Sequence, residues 1–78
     1  MKKQWIDIMF GDRFHRKFKY IIDTRRKSWA EDLTKYVLDT YSYLRRRKEF
    51  SLWFDLPNAT NPVSLIIRPQ KEVHYENS

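Results

Sequence analysis

The fold is decided by one stretch, QWIDIMFGDRFHRKFKYIID at residues 4–23, in which apolar and polar side chains alternate on both sides of a turn. Period-two alternation is typical of strands in a sheet that has one buried face and one wetter face. We therefore predict strands at Gln4–Phe10 and Phe14–Asp23, joined at residues 11–13. The even positions of both strands are expected to form the buried face.

The length of the loop decides which residues face each other across this hairpin. A two-residue loop would place Phe10 opposite Arg13 and mix core and surface residues on one face. A three-residue loop places Phe10 opposite Phe14 and keeps both faces consistent further along. Its other pairs are Ile6 with Phe18, Asp7 with Lys17, and Trp5 with Lys19. Because these pairs include opposite charges and a ring beside a cation, the sequence favours the three-residue loop.

A helix is predicted after the hairpin, from Ser28 to about Arg47. The order Ser-Trp-Ala-Glu at residues 28–31 fits a capping box, in which Ser28 and Glu31 bond the first free amides. Basic residues at the far end complement the helix dipole. Apolar spacing of three and four residues predicts one stripe that packs on the sheet, formed by Trp29, Leu33, Tyr36, Val37, Thr40 and Leu44.

Two further strands are predicted, at Glu49–Leu56 and Val63–Arg68, with turn residues between them. These elements predict an α+β fold of ββαββ order, in which a four-stranded, mostly antiparallel sheet has one helix packed on one face. The helical connection leaves the strand order open, because the strands it joins can be direct neighbours or can enclose another strand. Residues 1–70 are expected to form a single small domain, and residues 71–78 a flexible polar tail.

Composition excludes several kinds of chemistry. The chain of 78 residues has no cysteine, and its histidines, His15 and His74, lack the spacing of metal ligands. With one glycine it has no phosphate-binding glycine-rich loop, and its carboxylates are scattered. We therefore expect no enzymatic activity, no metal and no cofactor. Since no stretch approaches the roughly 20 apolar residues of a membrane span, we also expect a cytoplasmic protein without a membrane partner.

The chain is basic, with 16 Lys and Arg against 10 Asp and Glu and a formal charge of +6. If the helix runs back along the second strand, its C-terminal end returns to the first turn, where the fourth strand also ends. We predict that this Arg-rich pole binds the phosphates of DNA or RNA, although cations at a helix end are also ordinary solvated caps. The expected contacts are Arg13, Arg16, Lys17, Lys19, Arg45, Arg46, Arg47, Lys48 and Arg68, with Trp5 and Trp53 in secondary positions.

The sheet face that the helix leaves uncovered supports an alternative. Large apolar side chains on one bare face form a patch that monomers tend to avoid. The alternative is a protein–protein inhibitor or adaptor, such as a mobile element encodes, or a homodimer. The residues of this docking surface would be Trp5, Met9, Ile21, Trp53 and Ile66. A small ribonuclease-like toxin that uses His15 and arginines is a third, less favoured, hypothesis.

Overall fold

The computed structural model describes residues 3–56, 59–70 and 74–77. Within them the elements follow the order β1 Gln4–Phe10, β2 Arg13–Tyr20, α1 Trp29–Thr40, a 3₁₀ helix Ser42–Arg46, β3 Phe50–Phe54, β4 Val63–Arg68 and β5 His74–Asn77. The α+β class, the ββαββ order and the helical layer on one face are confirmed. β1 and β4 have the predicted limits, whereas β2 and β3 are shorter than predicted.

The sheet has the order β2-β1-β3-β4-β5, and each neighbouring pair is antiparallel. β1 therefore lies between β2 and β3, which decides the question that the sequence left open. β5 adds a strand next to β4, inside the segment expected to be a flexible tail. Residues 71–73 and 78 lie outside the described residues, so the flexibility of that segment stays a prediction.

The open end of the first hairpin has the predicted register, with Ile6 opposite Phe18, Asp7 opposite Lys17 and Trp5 opposite Lys19. Lys17 Nζ lies 3.6 Å from Asp7 Oδ1. The amino groups of Lys17 and Lys19 lie 5.7 and 4.9 Å from the centroid of the Trp5 ring. The charge pair and the ring–cation contacts predicted from the sequence are therefore confirmed.

The tip of the hairpin differs from the prediction, because a β-bulge shifts the register. Phe10 pairs with Arg13 across a two-residue turn, in which Gly11 has a φ of 62°. His15 is the extra residue on β2 and opposes no residue of β1. The predicted pair of Phe10 with Phe14 is therefore wrong. The turn has the two-residue loop. From Arg16 to the end of β2, the bulge restores the register that a three-residue loop would give.

The bulge also places Phe14 and His15 on the sheet faces opposite to those predicted for them. Phe14 pairs with Met9, so its ring belongs to the outer face, where it is 57 % exposed. His15 turns toward the helical layer, with its ring centroid 4.6 Å from that of Phe10. The prediction of Phe14 as a core residue is wrong, because one inserted residue changes the phase of the alternation at this point.

The helix ends earlier than predicted. α1 stops at Thr40, and Tyr41, with φ −116° and ψ 69°, lies outside the helical region before the 3₁₀ helix begins. The prediction of a continuous helix to Arg47 is therefore wrong. Ser28 occupies the N-cap position but makes no capping hydrogen bond, because its hydroxyl donates to Asp32 Oδ2 at 3.1 Å.

The core lies between the sheet and the helical layer. The sheet contributes Ile6, Ile8, Phe18, Phe50, Leu52, Phe54, Leu65 and Ile67. The buried stripe of α1 consists of Ala30, Leu33, Thr34, Val37 and Leu38. Tyr36 and Thr40, which were predicted to face inward, are exposed, because the stripe is rotated toward Thr34 and Leu38. Leu44 of the 3₁₀ helix is fully buried and closes the core next to the hairpin.

Candidate nucleic-acid interface

The segment that follows α1 lies against the first hairpin, as the Arg-rich pole requires. The Tyr43 hydroxyl and His15 Nε2 share a hydrogen bond 2.6 Å long, which joins the 3₁₀ helix to the bulge. The guanidinium of Arg47 lies over the Phe10 ring, 4.2 Å from its centroid and next to the turn. These two contacts, between segments far apart in sequence, bring the arginines of both segments to one end of the molecule.

Aromatic rings orient two arginines of the pole. Arg47 lies over Phe10, and the guanidinium of Arg16 is 5.3 Å from the centroid of the Tyr41 ring. Such cation–π contacts hold a guanidinium by its face and leave its N–H groups free to donate to another ligand. Phe10 in turn stacks on His15. The pole is therefore built on a cluster of rings, which the sequence analysis missed.

Three of the predicted phosphate contacts are engaged in ion pairs, Lys17 with Asp7 on the outer face and two at the pole. Arg45 Nη2 lies 2.6 Å from Asp39 Oδ1, and Arg68 Nε lies 3.2 Å from Glu49 Oε2. For the other cations of the pole, no carboxylate among the described residues lies within 4.0 Å of the charged group. These exposed side chains, which we call the open cations, are Arg13, Arg16, Arg46, Arg47 and Lys48.

Lys17 and Lys19 lie on a different surface from the open cations. The hairpin register places both on the outer face of the sheet, beside Trp5. Lys17 also pairs with Asp7 there. The structure therefore does not gather these two lysines with the arginines of the pole, although the sequence analysis grouped them.

The outer face exposes large rings. Trp5 is 53 % exposed and Trp53 is 41 % exposed, and both line a depression of about 470 Å³ together with Met9. The indole Nε1 of Trp53 donates to Ser51 Oγ at 2.9 Å, which fixes the orientation of the ring. Ile66 lies beside Trp53 in a neighbouring depression. Four of the five residues predicted for the docking surface are thus brought together.

The fifth residue, Ile21, lies apart from this surface. It follows the end of β2, is 44 % exposed, and lines a depression at the opposite end of the molecule from the turn. The arginines there are paired, Arg25 with Asp23 at 3.0 Å and Arg26 with Asp32 at 3.3 Å. Hydrogen bonds from Arg25 hold the pKa of Asp23 below its ordinary value.

The described residues show how His15 is used in the fold. Its ring contacts Tyr43 and Phe10, and no described carboxylate lies within 4.0 Å to orient it as a base. Among all the residues that the structure describes, no group of three His, Cys, Asp or Glu side chains is placed to hold a metal ion. Neither helical segment described has the length and apolar character that crossing a bilayer requires.

The ring cluster leaves only a weak signal in the sequence. Phe10, His15, Tyr41 and Tyr43 each lie within four residues of an arginine along the chain, but their convergence depends on the bulge and on the break after α1. Neither irregularity follows from hydrophobic periodicity. In comparisons with protein-family models, curated proteins and solved structures, no match to this chain was found.

Proposed function

We propose that the protein binds nucleic acid through the Arg-rich pole. The observation that carries the proposal is the grouping of the open cations at one end of the molecule: two come from β2, and three come from residues 46–48. Without a carboxylate partner, such side chains are available to donate to phosphate oxygens. Arginine suits this role, since its planar guanidinium forms paired hydrogen bonds with phosphate.

The ring cluster supports the same proposal. Contact with Phe10 and Tyr41 restricts Arg47 and Arg16, so less side-chain entropy is lost when a phosphate binds. The formal charge of +6 adds long-range attraction to a polyanion, which speeds association at low salt. Lys48 and Arg46 extend the charged surface beyond the rings.

Salt dependence tests the proposal. If the open cations each neutralise one phosphate, log K against log salt on duplex DNA has a slope of about −4.5, because each contact contributes about −0.9. On a single strand the expected slope is about −3.5. The slope is obtained from fluorescence anisotropy of labelled oligonucleotides between about 50 and 200 mM salt. A slope near zero, or no binding at 50 mM salt, contradicts the proposal.

Charge reversal locates the interface. The double variant Arg46→Glu, Lys48→Glu removes two open cations without touching the ring contacts, so we expect the duplex slope to flatten to about −2.7. The matched control is Lys3→Glu, Lys27→Glu, which changes net charge equally at exposed positions far from the turn. Equal loss of affinity in both variants would mean that net charge alone, and not the pole, drives binding.

The outer face favours a second candidate, docking of a protein or of a second copy of this chain. The observation is the fixed, exposed indole of Trp53 beside Trp5 in one depression. Burial of such rings stabilises an association that salt hardly weakens. Light scattering of the purified protein at 50 and 500 mM salt tests self-association. We expect a dimer at both concentrations and a monomer for Trp53→Ala, whereas a wild-type monomer at both would contradict self-association.

A further inference from the structure

We infer that the nucleic acid bound at the pole is single-stranded, and that Phe14 stacks on one of its bases. This inference rests on the proposed nucleic-acid binding and adds to it the class of partner and a residue that contacts a base.

Phe14 is the most exposed of the large hydrophobic side chains described, at 57 %. Among the described residues, no other ring stacks on it and no cation lies over it. Aromatic side chains lose favourable burial when they are left in water. A ring displayed at the tip of a hairpin is therefore available to a ligand with a flat apolar surface.

The bulge places this ring across the hairpin from the cations. Arg13 pairs with Phe10 on the helical side, where Arg47 also lies. Phe14 is the next residue along the chain and pairs with Met9 on the outer side. A nucleic-acid strand that crosses the tip can thus leave its phosphates on the arginines while it turns a base toward Phe14.

Most other rings near the pole are engaged within the protein: Arg47 lies over Phe10, and Arg16 lies over Tyr41. Tyr43 is 45 % exposed, but it is bonded to His15 through its hydroxyl and meets the imidazole edge-on. Phe14 is more exposed than any of them and has neither kind of contact, so it has the open face that stacking requires. A duplex keeps its bases paired and stacked within the helix, whereas a single strand presents base faces to aromatic side chains. The combination of clustered cations and one open ring therefore favours a single strand.

Removal of the ring tests the inference. Anisotropy is measured at one salt concentration on a labelled 20-nucleotide single strand, on the duplex of the same sequence, and on an abasic strand with the same phosphates. We expect Phe14→Ala to bind the single strand about 5- to 160-fold more weakly, which corresponds to the loss of one base–ring stacking contact of about 1–3 kcal/mol. Binding to the duplex and to the abasic strand should not change, because no charge is lost.

Two further variants serve as controls. Phe14→Tyr keeps the ring and should retain single-strand affinity, whereas Ile21→Ala removes a comparably exposed apolar side chain at the far end and should have no effect. Equal weakening on single strand and duplex, or no weakening on either, overturns the inference. If the wild type binds neither nucleic acid, the proposed function fails. If the reversal of Arg46 and Lys48 weakens binding while Phe14→Ala leaves single-strand affinity unchanged, only the inference fails.

Discussion

Among the described residues, one hydrogen bond connects the hairpin to the segment that carries most of the open cations. His15 Nε2 and the Tyr43 hydroxyl are 2.6 Å apart, and the Tyr43 ring also meets the imidazole edge-on. The bond lies at the surface, so its contribution to stability is modest. Its position gives it a second role, because together with the contacts of Arg16 with Tyr41 and of Arg47 with Phe10 it holds the segment after α1 against the hairpin.

Substitution of Tyr43 separates the effect of this bond on stability from its effect on nucleic-acid binding. Tyr43→Phe keeps the ring and removes the hydroxyl, so we expect a loss of about 0.5 kcal/mol in the free energy of unfolding. Affinity for nucleic acid should fall as well, because residues 46–48 are less well positioned. Urea denaturation and anisotropy measure the two quantities. A variant that loses stability but keeps full affinity would show that the bond does not organise the pole.

At the scale of elements, the irregular positions decide the shape of the interface. The two-residue turn and the bulge together make one hairpin that satisfies both registers weighed from the sequence. Gly11 allows the turn, since its φ of 62° lies in the left-handed region that side chains with a Cβ rarely adopt. A Cβ at this position would meet nothing within 4 Å, so the restriction comes from the backbone alone.

Replacement of Gly11 measures how much stability depends on the left-handed backbone conformation of the turn. Gly11→Ala should destabilise the protein by about 1–2 kcal/mol, the penalty of the left-handed conformation for an ordinary residue. Gly11→Asn should cost less, because asparagine adopts that conformation more readily. Thermal or urea unfolding of the two variants gives the comparison. Equal stability of both variants and the wild type would mean that the turn changes its conformation freely.

The elements also show where periodicity is a sufficient guide. The inward residues Ile6 and Ile8 of β1 and Leu65 and Ile67 of β4 are fully buried at every second position, so alternation predicts the limits of both strands correctly. The helix is overestimated, because the apolar spacing continues through Leu44 although the backbone departs from the helix at Tyr41. Thr40 and Ser42, on either side of that break, have low helix propensity, a local signal that the spacing pattern does not include.

For the whole molecule, the sequence predicted that the segment after the helix returns to the first turn, although both the helix and the second strand are shorter than that prediction assumed. The contacts of Tyr43 and Arg47 with the hairpin agree with that expectation. The identity of the open cations could not be predicted, because it depends on which arginines meet Asp39 and Glu49 in three dimensions. The exposure of Phe14 depends in the same way on a bulge that only the paired strands define.

The central place of β1 has a consequence for the order in which the protein assembles. β1 can pair with β2 as soon as residue 20 has left the ribosome, since the two strands are joined by a tight turn. Its other edge must wait for β3, more than 40 residues further along the chain. The arginines at 45–47 are synthesised just before β3, so a nascent chain can pair the second edge of β1 and gather its basic surface in nearly the same step, before β4 and β5 extend the sheet.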